Sequence, residues 1–329
     1  MGFDPFPWDE WLPYVERANE LGLWFRYDVN LNYDKGLENT RDQVEGMKRQ
    51  PSLLLWYHSD ESDGKTWPLE PMREGYEAIK KLDPYHPVSL VLNCYDWHYQ
   101  GYSNATDIVA SDVYPIGINA TFSIYGTVCN ETYGVCGCDM CEGSFKDIYS
   151  HMDEFVRRDE LIRADKTHWF TPQAFGNETH WDRIPTGDEL AVMTMIAINH
   201  GAKGIVQWDY PSYPDLEATS ERLAKVLPTD EVASFFLGAP LTKALPVEGS
   251  DEIDAAAWVD PKNGEILVSV VNMSYKAQAT SIKISLPEGI EASAVNKMFL
   301  GDRSWAVDGN TVTVEGLSGL EVSMFSLKP

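Results

Sequence analysis

Apolar residues along this chain follow two alternating rhythms. Positions 8–21 repeat at helical spacing and stop at Gly22, a residue suited to a helix C-cap, after which 23–29 read as a strand. Helical spacing returns over 38–49, 70–82, 145–164 and 188–199, and strand-like runs occupy 53–58, 87–93, 107–114, 168–173 and 204–209. Strands separated by helices in this way predict a parallel sheet with right-handed crossovers. The run Leu53-Leu54-Leu55-Trp56-Tyr57-His58, set between Pro51 and the Asp63-Gly64 turn, is the pattern of a strand buried on both faces. It leads into two adjacent acids, Asp60 and Glu61, and in parallel sheets ligands bind beyond the carboxyl ends of the strands.

From about 229 the texture changes. Strand-like runs at 255–259, 266–271, 281–286, 311–314 and 320–325 follow one another across Gly, Pro, Asn and Asp turns with no helical spacing between them. They predict an all-β sandwich over 229–329 behind a (β/α) domain over 1–228, a division that a chain of 329 residues readily supports.

The formal charge of -25 excludes classes of partner. A phosphate backbone or an anionic membrane surface would be repelled, and no basic tract compensates, so neither nucleic acid nor membrane is expected. A neutral or weakly charged small molecule fits better. No apolar run approaches the length of a membrane span, and the first residues, Met1 to Trp8, show neither a secretory leader nor a myristoylation signal. No His-Glu metal spacing, phosphate-cradling glycine loop or nucleophile elbow occurs, so no metal or cofactor is expected.

Two features bear on compartment. Asn104, Asn119, Asn130, Asn177 and Asn272 each open a glycosylation sequon without proline in its middle, which favours a secreted, extracellular glycoprotein. Cys129, Cys136, Cys138 and Cys141 crowd into one loop, leaving Cys94 as a buried thiol. In an oxidising compartment the cluster reads as two local disulfides, and in a cytosol the same spacing reads as zinc; the Asn130 sequon inside it favours disulfides.

The segments Trp56-Tyr57-His58-Ser59-Asp60-Glu61, Ala110-Ser111-Asp112-Val113-Tyr114-Pro115 and His200-Gly201-Ala202-Lys203-Gly204-Ile205-Val206-Gln207-Trp208 resemble the fourth, sixth and eighth strand ends of clan A glycoside hydrolases. Secreted fungal proteins of this kind, with a β-sandwich after the barrel, are similar across nearly the whole chain. The resemblance implies a (β/α)8 TIM barrel, hydrolysis of O-glycosidic bonds in a carbohydrate substrate, and Glu61 as general acid/base. It also makes the strand at 23–29 the third, so the barrel is expected to be incomplete at its N-terminus, with open edges. The family pattern expects a glutamate at the end of strand seven. Gln173 stands there instead, and an amide cannot be a nucleophile.

Glycoside cleavage needs two carboxyl groups on opposite sides of the anomeric carbon. Glu61 supplies one, with Asp60 beside it raising its proton affinity by like-charge repulsion. For the other, Asp112, Asp209 and Glu178 are available; Asp112 leads, although an Asp before Val113-Tyr114-Pro115 also suits a structural turn, and Glu178 sits in a sequon and suits an exposed loop. Asp28, Tyr57, Asn93, Tyr114, Gln173 and Trp208 fall at or near strand ends, where polar groups read hydroxyls and rings stack on sugars. Trp56 and Trp169 read as core, and His58 as either a carboxylate-orienting residue or a satisfied strand-end histidine. The competing expectation is a noncatalytic carbohydrate-binding or scaffold protein descended from such enzymes, which Gln173 favours.

Overall fold

A computed structural model describes residues 8–29, 36–118, 142–178, 180–210 and 212–329. The cysteine cluster and the Asn119 and Asn130 sequons lie outside the described residues.

Helices and parallel strands alternate as expected: α1 (Trp8–Leu21), β1 (Phe25–Asp28), α2 (Gly36–Met47), β2 (Leu53–Asp60), α3 (Leu69–Leu82), β3 (Val88–Leu92), α4 (Tyr99–Ser103), β4 (Ile108–Ser111), α5 (Lys146–Ile162), β5 (Thr167–Phe170), α6 (Gly187–Asn199) and β6 (Gly204–Ile205), followed by α7 (Pro214–Ala224) and α8 (Asp230–Gly238). The strand order is β1-β2-β3-β4-β5-β6, six strands of the eight in a complete (β/α) barrel. Gly22 ends α1 with φ +65°, and Leu23 N–H donates to Ala18 O at 2.9 Å, the closing hydrogen bond of a Schellman cap. Helices α4, α7 and α8 are not announced by the residue pattern, and α8 lies within the stretch read as all-β.

Packing divides the chain into two units. In the first, which holds the described residues of Met1–Asp112 and Glu154–Trp169, the helix-facing sides of the strands form the core. Val15, Val44, Met47 and Ile79 close on Leu53, Trp56 and Val88, while Met72, Tyr102 and Phe155 close on Leu90, Leu92 and Val109. Trp56 is fully buried and its Nε1–H donates to Asp83 Oδ2 at 3.0 Å, so the core reading of that residue stands. Leu54, by contrast, is 41 % exposed, so β2 is covered on both faces only from Leu55 onward. The opposite face of the sheet carries a smaller cluster of Tyr57, Val91 and Ala110 with Trp169 packed against it.

The second unit takes the remainder from Phe170 on, with the described residues of Val113–Asn119 and Cys141–Asp153. Its antiparallel strands are β7 (Leu241–Thr242), β8 (Val247–Glu248), β9 (Ile253–Val259), β10 (Ile266–Asn272), β11 (Gln278–Ser285), β12 (Ala294–Leu300), β13 (Ala306–Asp308), β14 (Thr311–Leu317) and β15 (Val322–Lys328). They form one sheet ordered β12-β15-β10-β9-β7 and another ordered β13-β14-β11-β8. Alternate residues of both sheets, among them Ala255, Ala257, Val268, Val270, Ile282, Ile284, Val312, Val314, Phe325 and Leu327, interleave into one core, which is the sandwich the alternation predicts.

Candidate active site

β2 should present alternate residues to alternate faces, which would send Asp60 to the side of Trp56 and His58. A bulge prevents this. Tyr57 lies opposite Ser89, whereas Asp60 lies opposite Val91, so three residues of β2 span two of β3 and Asp60 returns to the face of Tyr57. Tyr57 OH donates to Asp60 Oδ1 at 2.5 Å, and the Arg26 guanidinium lies 3.9 Å from the Tyr57 ring centroid. His58 goes the other way: it is fully buried, its Nε2 pairs with Met72 O at 2.9 Å, and burial lowers its pKa to about 4. It is a neutral core histidine and orients no carboxylate.

Glu61 follows the strand with φ +47°, a left-handed conformation that costs about 1–2 kcal/mol in a non-glycine residue. Surrounding hydrogen bonds hold it there. Glu61 N–H donates to Val91 O at 3.1 Å, and a tight turn behind it is closed by Lys65 N–H to Glu61 O, Thr66 N–H to Asp63 O and Trp67 N–H to Ser62 O, each at 2.9 Å. Asp63 pins that turn to the end of β3. Its carboxylate accepts Gly64 N–H at 2.9 Å, Asn93 N–H at 3.3 Å and Cys94 N–H at 2.9 Å from a position only 1 % exposed. Burial pushes the Asp63 pKa up to about 7 against the pull of those three donors.

Register across β3 carries the third acid in. Val91 lies opposite Ala110, so Asp112, two residues on, shares the face of Tyr57, Val91 and Ala110. The Glu61 and Asp112 carboxyls share a hydrogen bond. Two carboxyls in such contact hold one proton between them. Burial raises the proton affinity of both; the charge of Glu61 and the shared hydrogen bond lift Asp112 further, well above the usual carboxylate range, whereas at Glu61 the repulsion of Asp60 adds to burial and the hydrogen bond from Asp112 works against it. Lys65 works against this at Glu61: its Nζ stands 3.6 Å from Glu61 Oε2, 3.1 Å from Asp60 Oδ2 and 2.9 Å from Asp60 O. The Glu61 side chain is 21 % exposed, whereas Asp112 is 2 % exposed with Oδ1 buried and unpaired, so Glu61 is the member of the pair that solvent reaches.

This geometry amends the expected role of Asp112. Catalytic carboxyls that straddle a glycosidic bond stand about 5–5.5 Å apart for retention or roughly 6.5–9.5 Å for inversion, whereas a shared hydrogen bond is far shorter. Asp112 therefore lies beside Glu61, not across a glycosidic bond from it.

The other expected residues distribute as follows. Asp28 pairs in register with Tyr57 and is half-buried; Asn93 is buried, with Cys94 Sγ 3.6 Å from its Oδ1. In the second unit, Gln173 is fully buried and its amide is spent on backbone: Oε1 accepts Ile116 N–H at 2.9 Å, while Nε2 donates to Ile116 O at 3.0 Å and Phe175 O at 3.2 Å. Gln173 is thus a clamp that joins two loops and has no amide hydrogen left for a sugar. Tyr114 is buried in an aromatic cluster, edge-on to Phe175 at 5.0 Å and to Trp181 at 6.0 Å. Trp181 is its half-buried member, a ring platform that strand-end reasoning misses because it sits in a loop. Trp208 bridges to Gln173, and half-buried Asp209 follows it through a cis peptide; Glu178 is exposed. Asn104 and Asn177 are exposed, but Asn272 is buried and its Nδ2 donates to Lys276 O and Ser318 O, which leaves that amide no room for a glycan.

No protein-family profile and no curated protein matches the sequence. Solved structures do resemble the fold. A GH51 arabinofuranosidase from Xanthomonas axonopodis pv. citri aligns over 96 % of this chain and 78 % of its own at 11 % identity, with a TM-score of 0.56. A family 39 glycoside hydrolase from Bacteroides cellulosilyticus WH2 aligns over 99 % and 72 % at 13 % identity, with a TM-score of 0.58. Alpha-galactosidase I from Mortierella vinacea aligns over 96 % and 79 % at 13 % identity, with a TM-score of 0.59. The chain therefore shares with these glycoside hydrolases the architecture of a (β/α)-barrel sheet, six strands of it among the described residues, with a β-sandwich; at this identity the likeness is one of fold.

Proposed function

We propose that the protein is a glycoside hydrolase that cleaves O-glycosidic bonds of a neutral or weakly charged glycan, with Glu61 as the carboxyl that meets substrate and Asp112 as its proton-sharing partner. The observation that carries this reading is the hydrogen-bonded Glu61–Asp112 pair at the carboxyl ends of β2 and β4, the parallel strands on either side of β3. Carboxyls that burial and mutual repulsion keep from ionising together are poised for proton exchange near neutral pH. The net charge of -25 supports an uncharged substrate. A secreted, glycosylated protein of fungal type with a disulfide-bonded loop is part of the same proposal; intact mass before and after glycosidase and reductant treatment tests it, and an unmodified mass with four reactive clustered thiols counts against it. The central test is turnover across aryl glycosides and polysaccharides. Glu61→Gln abolishes it if the reading is right, and turnover that survives removes Glu61 from its role.

One observation favours a second reading. Gln173 occupies the place where the resemblance expects a nucleophilic glutamate, and its side chain is committed to backbone. A carbohydrate-binding protein without turnover follows from that, and calorimetric binding of oligosaccharides by a chain that hydrolyses none of them is its signature.

A further inference from the structure

The glycosidase reading leaves open which carboxyl of the pair carries the shared proton, and the resemblance makes Glu61 the acid. The neighbours of the two groups argue otherwise. Among the described residues, the charged groups that act on Glu61 come from the end of β2, the turn after it and the end of β4: Lys65 at 3.6 Å, Asp60 bridged to the same ammonium at 3.1 Å, and Asp112 by the shared hydrogen bond, with Asp63 buried behind them. Among the described residues no salt bridge reaches Asp112, which is 2 % exposed and leaves Oδ1 buried without a partner. A carboxylate in that setting loses its hydration and feels the Lys65 ammonium without a direct ion pair, whereas a carboxylic acid there donates its one proton to Glu61. Glu61 is paired with a cation and is reached by solvent.

Resting on the glycosidase reading, we propose that Glu61 is the ionised carboxyl of the pair, acting on the anomeric carbon from the face opposite the departing oxygen, and that Lys65 is the positioning residue that keeps it so. Either a Glu61 oxygen forms the bond to the anomeric carbon and the ester then yields to water, or Glu61 takes a proton from the water that forms that bond. In both cases the bond to the departing oxygen breaks with its electron pair, and an aryl group leaves as the phenolate. Asp112 keeps its proton throughout, donating the hydrogen bond that holds the Glu61 carboxylate in line. Lys65 is placed for this by its turn, because its own N–H closes the turn on Glu61 O at 2.9 Å and the Asp63 carboxylate anchors that turn to β3, while Asp60 Oδ2 holds its ammonium at 3.1 Å.

The test uses the full chain and a dinitrophenyl glycoside that the wild type hydrolyses, with sodium azide as the external nucleophile. Glu61→Ala with azide yields a glycosyl azide of configuration inverted relative to the substrate; an azide of retained configuration, or none at all, overturns the proposal while leaving Glu61 essential. Lys65→Met raises the pH of the acid limb of kcat/KM by about one pH unit, and Lys65→Arg returns it. An acid limb that Lys65→Met does not move overturns the positioning role. Absence of turnover by the wild type on every glycoside overturns the glycosidase reading and this proposal with it, so the two failures are told apart by the wild-type control.

Discussion

His200, at the C-terminal end of α6, offers the sharpest quantitative prediction. The imidazole is nearly closed to solvent, with Nδ1 2.8 Å from Asp153 Oδ2 and Nε2 3.2 Å from Asp254 Oδ1, and the Tyr149 ring stacks on it at 4.9 Å. Burial alone lowers the pKa of such a group, but hydrogen bonds and charge from the two carboxylates outweigh it and raise the pKa to about 9 from the ordinary 6.5. At about 1.36 kcal/mol for each pH unit separating folded and unfolded values, the imidazolium contributes about 3 kcal/mol to stability. Because the folded value is the higher one, this contribution is fully present below about pH 6.5 and is lost as pH rises through about 9. His200→Gln removes it while Lys243 still pairs with Asp153 at 2.8 Å and Asn199 with Asp254 at 2.6 Å, so the variant should fold. Urea denaturation of both proteins at intervals from pH 5.5 to 10 is the assay. The gap between them should be about 3 kcal/mol at the acid end and shrink towards pH 10; a gap that is constant with pH would refute a charged His200.

Other consequences are equally direct. Asp63→Ala strands three buried or part-buried N–H donors at the β2–β3 junction and should cost about 2–4 kcal/mol in urea denaturation, with turnover falling further than stability explains because the turn that carries Lys65 loses its anchor. A variant of wild-type stability would show that water replaces the carboxylate. Gln173→Glu, which restores the acid that the resemblance expects, should give no new activity and lose about 3–5 kcal/mol, since a buried carboxylate would face the Ile116 and Phe175 carbonyls that Gln173 Nε2 now serves. Enhanced aryl glycoside hydrolysis at unchanged stability would contradict that account.

The elements with strong periodicity were legible from the chain alone. The α1 range, its Gly22 cap, the parallel strands through β5 and the alternating strands of the sandwich follow from residue spacing, because side-chain burial in a helix or strand repeats with the backbone's own period. Glu61 and Asp112 were likewise legible as acids at strand ends. Less was legible where local preference is weak: α4 is only five residues long, β6 only two, and α8 is a helix in a run otherwise made of strands.

What composition and spacing determined, then, is which segments become strands and helices and that acids cluster beyond the ends of those strands. Only the tertiary structure decided how the acids meet. The bulge that turns Asp60 to the face of Tyr57, the left-handed Glu61, and the Asp63 anchor that brings Lys65 over Glu61 all depend on hydrogen bonds to β3, some thirty residues away in sequence. A hydrogen bond between distant backbone groups leaves no period in the chain, and a one-residue slip in register reverses which face a side chain occupies. The proton affinity of Asp112 has the same origin, since it is set by burial and by a carboxyl brought from another strand.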